Sequence, residues 1–145
     1  MIDEFKGQYF FLSNFYQDRF FYKEQLFKSS EQAFMWEKTT DPVWKDRILL
    51  APDPSTAKRL GRSVPLREDW EQVKDSIMYA VLLRKFYEPT LRPRLLATGD
   101  QILVEGNNWN DTYWGVDLVT RKGRNQLGIT LMKVREHYQM LDTAS

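Results

Sequence analysis

Cysteine is absent from this chain of 145 residues, and histidine occurs once, at position 137. Without cysteine the protein has no disulfide, no thiolate metal site and no cysteine nucleophile, which suits a reducing compartment. A single histidine excludes a multi-histidine metal site, and a Ser-His-Asp triad would have to use His137. We therefore expect neither a metal nor another cofactor.

Long apolar runs are also missing, and the first residues lack the apolar segment of a secretion signal. We therefore expect no membrane span and no export, and we place the protein in the cytoplasm. The net charge is only +1, whereas proteins that bind nucleic-acid backbones usually carry a clear basic excess. Two short basic runs, at 59–62 and 121–124, are enough to hold a phosphate group.

Aromatic residues, in contrast, are abundant: five Trp, seven Tyr and nine Phe make up 14% of the chain. This is more than a core of this size requires, so some rings are expected to line a site for a nucleobase or a sugar. The alternative is an aromatic core without a site. The length predicts a single domain over residues 1–145, and no repeat or linker divides it.

The pattern of caps and apolar residues predicts a mainly α fold, or α+β with a few short strands. Ser29 or Ser30, Asp41-Pro42 and Asp53-Pro54 each open a helix, and Gly61 is expected to close the third one as a left-handed residue. A hairpin is predicted over 20–27, with its turn at 23–25. Further helices are predicted over 68–87, after Thr90 and over 125–141, with strands over 101–105 and 113–116.

The helix over 68–87 is the longest, and its broad apolar face predicts a central core helix. The residues expected on that face are Trp70, Val73, Ile77, Ala80, Val81, Arg84 and Phe86, and Leu82 and Leu83 broaden it.

The first of these helices, residues 30–39, carries the candidate site. At helical spacing, Glu31, Phe34, Met35 and Lys38 share one face, so a carboxylate and an ammonium flank two large apolar groups. Neither a core face nor a solvent face has this composition, whereas the wall of a cleft does. The alternative is an ordinary first-turn acid and a lysine whose stem covers apolar surface.

Other candidates lie in loops and at strand ends, which often carry function. They are Asn14 after an aromatic run, Glu105 at the end of the strand over 101–105, and the group Asp111, Tyr113 and Trp114 in an amide-rich loop. Each has a structural alternative: a turn residue, a solvated charge and an Asx-turn, respectively. Trp36 and Trp109 can equally be packing residues. No Walker loop or G-x-G-x-x-G motif is present.

Seven segments in order, spanning about 10–135, resemble the NADAR family, also called YbiA-like. They are Leu12-Ser13-Asn14-Phe15; Ser30-Glu31-Gln32 with Phe34-Met35 and Lys38; Ala57-Lys58-Arg59-Leu60-Gly61-Arg62; Trp70 with Ile77-Met78 and Lys85-Phe86; Leu95-Leu96-Ala97-Thr98-Gly99; Leu103-Val104-Glu105 with Asp111 and Trp114-Gly115; and Asn125 with Leu127-Gly128, Leu131-Met132 and Val134-Arg135. The resemblance implies a compact, mainly helical single domain with N-glycosidase activity.

Members of this family are associated with two substrates: early riboflavin-pathway intermediates that carry a phosphoribosylamino-pyrimidine, and ADP-ribosylated guanine in nucleic acid. By the resemblance, the residues expected to touch the ribose are Glu31, Lys38 and Asp111. Those expected to shape the pocket are Asn14, Glu105 and Trp114. Arg62 is the expected phosphate holder, and Trp36, Trp109 or Trp114 is expected to stack on the base.

The chain departs from the family pattern at two positions. Gln32 stands where many members have His, and Asp117 stands where Gly is common. If that His does chemistry in relatives, this chain lacks it, and the carboxylate of Asp117 would alter the acidity of Asp111 or narrow the substrate range.

Three hypotheses follow from these observations. The first is an N-glycosidase acting on a small ribosyl nucleotide or on ADP-ribosylated nucleic acid, with the near-neutral charge favouring the small molecule. The second is a non-catalytic module that binds ADP-ribose or a related nucleotide. The third is a structural or interaction domain without a clustered site.

Overall fold

The computed structural model describes residues 1–144 of the chain. These residues form two compact units: one is Asn14–Lys85, and the other is Met1–Ser13 together with the chain from Phe86 onward. Helices dominate both units, and every strand is two or three residues long. The predicted class, mainly α with a few short strands, is confirmed. One domain over residues 1–145 stays a prediction.

The unit Asn14–Lys85 consists of a hairpin followed by four helices. In chain order its elements are β1 (Phe20–Tyr22), β2 (Gln25–Phe27), α1 (Ser30–Glu37), α2 (Pro42–Leu49), α3 (Pro54–Gly61) and α4 (Trp70–Lys85). β1 and β2 pair antiparallel, and the two turn residues, Lys23 and Glu24, have φ of 49° and 67°. Positive φ at both positions is what a tight two-residue hairpin turn needs. The predicted hairpin is confirmed.

Three of these helices begin where the sequence predicts. Each follows a polar side chain that accepts hydrogen bonds from free N–H groups of the first turn, and these caps are Ser29, Asp41 and Asp53. Proline, which has no N–H to leave unpaired, takes the first position of α2 and α3. Local side-chain chemistry therefore sets the starts of α1, α2 and α3.

Gly61 does not close α3 as a left-handed residue, and that prediction is wrong. Gly61 is the last residue of the helix, and Arg62 after it has a right-handed φ of −73°. A Cβ atom built on Gly61 would lie 2.2 Å from Sδ of Met35 in α1. Glycine is needed here because α3 packs closely on α1, and not for backbone freedom.

The C-terminal turn of α4 departs from the predicted face at Arg84 and Lys85. The buried residues of α4 are Trp70, Met78, Val81, Leu82 and Lys85. Arg84, predicted to face inward, is exposed, and its Nε donates to the carbonyl oxygen of Phe21 at 3.0 Å. The prediction failed because it assigned the buried position to an arginine, whereas the neighbouring lysine occupies it.

The apolar core of this unit lies where the hairpin, α1 and α4 meet. Its buried residues are Phe20, Tyr22, Phe27, Ala33 and Val81. Packing against the hairpin thus fixes one side of α1.

The second unit consists of a 3-10 helix (Gly7–Leu12), α5 (Arg92–Leu96), β3 (Gly106–Asn107), β4 (Val116–Asp117) and α6 (Gln126–Ala144). The helix predicted over 125–141 is confirmed. For α5 the flanking residue is Leu91, without a side-chain cap, and not Thr90 as predicted. None of the helices in the described part of the chain is both long and apolar enough to cross a membrane.

The strand predicted over 101–105 is wrong. This segment makes only an isolated parallel bridge, between Leu103 and Ile2, with Ile2 bonded to the backbone of Ile102 and Val104. The parallel ladder forms just beyond it, between β3 and β4, and of the strand predicted over 113–116 only Val116 belongs to β4. Apolar residues predicted a long strand, but within 101–105 the structure shows β-bridge pairing at Leu103 alone.

Candidate functional site

The first turn of α1 is anchored to Asn14, one of the predicted pocket residues. Asn14 is buried, and its backbone oxygen accepts a hydrogen bond from the Glu31 N–H at 3.0 Å. Its side-chain oxygen accepts from the Ser30 hydroxyl at 2.7 Å. These bonds fix the helix start, and with it the buried side chain of Glu31, which exposes 7% of its surface.

Lys38 follows α1 directly and is half-buried. Burial lowers the pKa of its amine, the carboxylate of Glu31 partly offsets this, and the guanidinium of Arg62 lowers the pKa further. The backbone of Lys38 is held as well, because its carbonyl oxygen accepts from the Arg67 N–H at 2.9 Å. The amine is therefore both positioned and more easily deprotonated than an ordinary lysine.

Arg62 reaches this amine from α3. It is exposed and follows the last helical residue, Gly61, whose contact with Met35 brings α3 close to α1. The structure thus brings two other predicted site residues, Glu31 and Arg62, within electrostatic range of the Lys38 amine. The acid of Glu31 and the amine of Lys38 thus lie at the two ends of one helical face, as the sequence predicts.

The other end of α1 is held by a separate polar cluster around Glu37. This buried carboxylate accepts from the Tyr22 hydroxyl at 2.6 Å and pairs with Lys23 at 2.8 Å. Burial, together with that hydrogen bond, raises the pKa of Tyr22, so the hydroxyl keeps its proton. The cluster fixes the C-terminal turn of α1, from which Lys38 extends.

Trp36 lies beside this second cluster. Its ring meets Phe27 edge-on at 5.4 Å, and the ammonium of Lys45 lies 3.4 Å from the ring centroid. These contacts favour packing, one of the two interpretations that the sequence leaves open for Trp36.

In the other unit, the amide-rich loop is organised by Asn107, which is buried. Its Nδ2 donates to the carbonyl oxygen of Asp111 at 2.8 Å, and its Oδ1 accepts from the N–H groups of Trp109 and Asp111 at 3.2 and 3.1 Å. A neutral amide can make all these bonds without a charge. The loop therefore has a fixed shape.

Asp111 lies in the middle of that loop and is half-buried. Its Oδ1 accepts from the backbone N–H groups of Tyr113 and Trp114 at 3.2 and 2.9 Å, which is an Asx-turn. The turn fixes the orientation of the carboxylate. Its catalytic role stays a prediction.

Glu105 precedes β3, where the backbone is tightly packed. Its N–H donates to Oδ1 of Asn125 at 3.0 Å, and its carbonyl oxygen accepts from the Val116 N–H at 2.9 Å. A Cβ on Gly115 would lie 2.3 Å from that carbonyl oxygen, so only glycine fits beside it. The Glu105 side chain is half-buried.

Two tryptophans of this loop differ in exposure. Trp109 exposes 54% of its surface, whereas Trp114 is half-buried and meets Tyr113 edge-on at 4.9 Å. An exposed indole on a rigid loop can stack on a ligand ring.

The two departures from the family pattern have structural partners. Gln32 is buried; its Oε1 accepts from the Lys28 N–H at 2.8 Å, and its Nε2 donates to the carbonyl oxygens of Ile48 and Leu49 at 3.0 and 3.2 Å. It therefore joins β2 to the end of α2.

Asp117 caps its own turn, since backbone N–H groups of Thr120 and Val119 bond to its carboxylate and lower its pKa.

Sequence reasoning missed two buried polar residues: Asn107 in the amide-rich loop, and Lys85 at the end of α4. Lys85 exposes 1% of its surface, and its Nζ lies 3.5 Å from the Ser30 hydroxyl. The signal was present, because Lys85 follows Met78, Val81 and Leu82 at helical spacing and so shares their face. Within residues 1–144, no group of three or more His, Cys, Asp or Glu side chains lies close enough to hold a metal ion.

Comparison with known proteins gives consistent matches over the chain. The family profile described as the NADAR domain matches residues 3–139. The N-glycosidase YbiA of Shigella boydii serotype 4 (strain Sb227) is 42% identical over 111 residues, which is 74% of this chain and 68% of that protein. The riboflavin biosynthesis protein VVA0006 of Vibrio vulnificus (strain YJ016) is 36% identical over 132 residues, 89% of this chain but 35% of that protein.

The fold also matches a solved structure. The NMR structure of the E. coli protein YbiA superimposes with a TM-score of 0.87 and 35% sequence identity, covering 100% of this chain and 90% of that one. The predicted YbiA-like helical fold is confirmed.

Proposed function

Because this chain belongs to the NADAR family, we propose that it hydrolyses the bond between a ribose and a base, with Glu31, Lys38 and Asp111 as catalytic residues. The predicted class of enzyme, an N-glycosyl hydrolase, is confirmed by relatives that are named N-glycosidases. The observation that carries the assignment of residues is the half-buried amine of Lys38, with its lowered pKa, next to Glu31 and Arg62.

The proposed substrate is a small phosphorylated ribosylamino-pyrimidine of the riboflavin pathway. Two features support it: a relative 36% identical to this chain carries the name riboflavin biosynthesis protein, and the net charge of +1 is low for a nucleic-acid binder. Hydrolysis of ADP-ribosylated guanine in nucleic acid is the competing outcome of the test below.

Breaking the bond between C1 of ribose and the base nitrogen builds positive charge on the sugar and negative charge on the base. In the proposed reaction, the carboxylate of Glu31 stabilises the sugar cation and orients the attacking water. The water oxygen bonds to C1, the C1–N bond breaks, and a proton reaches the departing nitrogen. Asp111, fixed by its turn, is the second carboxylate of the reaction.

Lys38 has two proposed modes of action. Its protonated amine, acidified by burial and Arg62, can donate the proton to the leaving nitrogen. Alternatively, the neutral amine attacks C1 itself: a C1–N bond to Lys38 forms, the C1–N bond to the base breaks, and one amine proton goes to the departing nitrogen. The sugar ring then opens as the second amine proton goes to O4, which leaves a Schiff base between Lys38 and C1, and water hydrolyses it to release the ribose and return the amine. Reduction with borohydride separates the modes, because only a Schiff base becomes a stable adduct on Lys38.

The remaining predicted residues would bind the substrate. The exposed guanidinium of Arg62 offers a fork for phosphate oxygens. Trp109, with 54% of its surface exposed, is free to stack on the base. Asn14, Glu105 and Trp114 are proposed to shape the pocket.

The test is to incubate the pure protein with a ribosylaminopyrimidine phosphate and, separately, with DNA carrying ADP-ribosylated guanine, and to measure base release by chromatography. We expect release from the small molecule and a loss of at least about 100-fold in Lys38→Ala, Glu31→Gln and Asp111→Asn. Asn keeps the oxygen that accepts the turn bonds of Asp111, so that variant tests charge alone.

The matched control is Lys133→Ala, at an exposed lysine outside both basic runs. If neither substrate loses its base and Lys38→Ala behaves as the wild type, the proposal is wrong. Tight binding of the intact nucleotide by calorimetry, without turnover, would instead identify a non-catalytic binding module.

A further inference from the structure

Lys85, the last residue of α4, is a lysine with 1% of its surface exposed. Its Nζ lies 3.5 Å from Oγ of Ser30, in the first turn of α1, and 5.9 Å from the ring centroid of Tyr16. Burying an ammonium ion is unfavourable unless hydrogen bonds and an opposite charge compensate. A carboxylate near the first turn of α1 is therefore expected.

Among the described residues of the unit that contains Lys85, only two carboxylates are buried, Glu31 and Glu37. Glu37 lies at the far end of α1 and is bonded to Tyr22. Glu31 directly follows Ser30, the residue that Lys85 contacts. By position and burial, Glu31 is the acid that the Lys85 ammonium affects most strongly.

The helix dipole sharpens this assignment. The N-terminus of a helix carries partial positive charge, which favours a carboxylate and disfavours a cation. Glu31 gains from that location, whereas Lys85 does not. The Lys85 ammonium at this point therefore does not stabilise α1 through the helix dipole. The adjacent carboxylate of Glu31 explains why a cation lies there.

We propose that Lys85 is a positioning residue of the glycosidase site: its buried ammonium keeps Glu31 ionised and holds that carboxylate in place. This inference rests on the proposed function. It assigns Glu31 the anionic role, at the sugar cation and the attacking water, and excludes it as the proton donor to the base.

Other charged and titratable groups face the same helix. Lys38 lies at its C-terminal end, Arg62 approaches from α3, and Tyr16 comes from the loop before β1. From α2 comes Lys45, whose ammonium donates to the carbonyl oxygen of Trp36 near the C-terminal end of α1, and from the end of β2 comes Lys28, whose ammonium donates to the carbonyl oxygen of Ala51. The ammonium of Lys85 contacts the first turn directly, at the hydroxyl of Ser30.

The first experiment needs no substrate. NMR titration of ¹³C-labelled glutamate carboxyl groups compares the wild type with Lys85→Met, which keeps the length of the side chain and removes its charge. We expect the pKa of Glu31 to rise by about one unit or more in the variant. Lys74→Met, at a lysine of the same helix, should leave it unchanged. An unchanged Glu31 pKa in folded Lys85→Met overturns the inference.

If Lys85→Met does not fold, the reciprocal variant decides. Coupling between two ionisable groups is symmetric, so Glu31→Gln should lower the pKa of Lys85, followed through its ¹³Cε resonance. A Lys85 pKa that is the same in Glu31→Gln and in the wild type overturns the inference.

The kinetic readout is the pH dependence of kcat/KM. On the acid side of the pH profile, kcat/KM of Lys85→Met should fall about tenfold for each unit by which the Glu31 pKa rises. Lys85→Arg, which keeps the positive charge, should return this part of the profile to that of the wild type. A purely structural lysine would lower stability without moving this part of the profile. If the wild type has no turnover, the proposed function fails, while the titrations still decide whether Lys85 controls Glu31.

Discussion

At the scale of the residue, the charge on Lys38 is set by opposing neighbours. Burial and Arg62 lower its pKa, and Glu31 raises it. Arg62→Gln removes a cation, so the pKa of Lys38 should rise towards its ordinary value, whereas Glu31→Gln should lower it further. Titration of the ¹³Cε resonance of labelled lysine measures both shifts.

The control for this prediction is Arg59→Gln, at an exposed arginine of α3, the helix that Arg62 directly follows, because Arg59 is not among the causes of the Lys38 shift. If the neutral amine is the reactive form, the pH needed for borohydride trapping should move upward in Arg62→Gln. Equal Lys38 pKa values in the wild type, Arg62→Gln and Glu31→Gln would contradict the electrostatic account.

Gln32 tests whether a departure from the family pattern affects chemistry or only structure. Its amide bonds to one N–H and two carbonyl oxygens at the junction of β2 and α2. Gln32→Leu leaves these buried groups without their partner, so we expect the free energy of unfolding to fall by about 1–3 kcal/mol. Urea unfolding followed by circular dichroism measures the change.

Turnover per folded molecule should stay near the wild-type value in Gln32→Leu, because the amide is fully used in these structural bonds. Gln72→Leu, at an exposed glutamine of α4, is the control and should change stability little. A collapse of kcat in a still-folded Gln32→Leu would show that this position takes part in the reaction.

At the scale of the element, the contact of α3 with α1 positions Arg62 relative to Lys38. Gly61→Ala places a methyl group where Sδ of Met35 lies, at 2.2 Å. Overpacking costs about 1–3 kcal/mol, and the better helix propensity of alanine offsets up to about 1 kcal/mol of it. We therefore expect a net destabilisation in urea and a weaker effect of Arg62 on the pKa of Lys38.

The double variant is the control for this prediction. A Met35→Ala background removes Sδ and Cγ of residue 35 and leaves its Cβ, 3.1 Å from the added methyl group, so Gly61→Ala should cost clearly less stability there than in the wild type. The same loss of stability in both backgrounds would mean that the two helices do not depend on this contact.

Elements with local signals could be predicted from the sequence, and those that depend on distant partners could not. Asp41, Asp53 and the prolines after them mark helix starts through bonds within one turn, so α2 and α3 were predicted correctly. Gly61 was misassigned because its reason is a side chain in another helix. Lys85 was missed because a lysine on an apolar face predicts an exposed residue unless its surroundings are known.

The candidate site follows the same division. Glu31 and Lys38 belong to one helix, so spacing alone placed them on one face. The approach of Arg62 to Lys38 depends on how α3 packs against α1, and only the resemblance to a family suggested its role. The prediction of a strand over 101–105 was wrong because strand pairing also depends on a distant partner. Ile2, near the start of the chain, forms an isolated bridge with Leu103 and no ladder.

At the scale of the whole molecule, the net charge of +1 bears on the substrate. A protein that reads a nucleic-acid substrate contacts several phosphates and releases counterions, so its affinity falls steeply with salt, by roughly 0.7–0.9 log units per log unit for each phosphate contacted. A small ribosyl phosphate offers one phosphate group. With Arg62 as its holder, we expect log kcat/KM to fall with log salt concentration with a slope of about −1.

The measurement is kcat/KM for base release from the small substrate and from ADP-ribosylated DNA, each between low and high salt. Arg62→Gln should flatten the slope for the small molecule, because the phosphate then loses its charged partner, while Lys133→Ala should not. A shallow slope with the small substrate, together with weak turnover of DNA, would agree with a metabolite as the substrate. A steep slope and faster turnover on DNA would contradict it, and would mean that the local charge around the site matters more than the net charge of the chain.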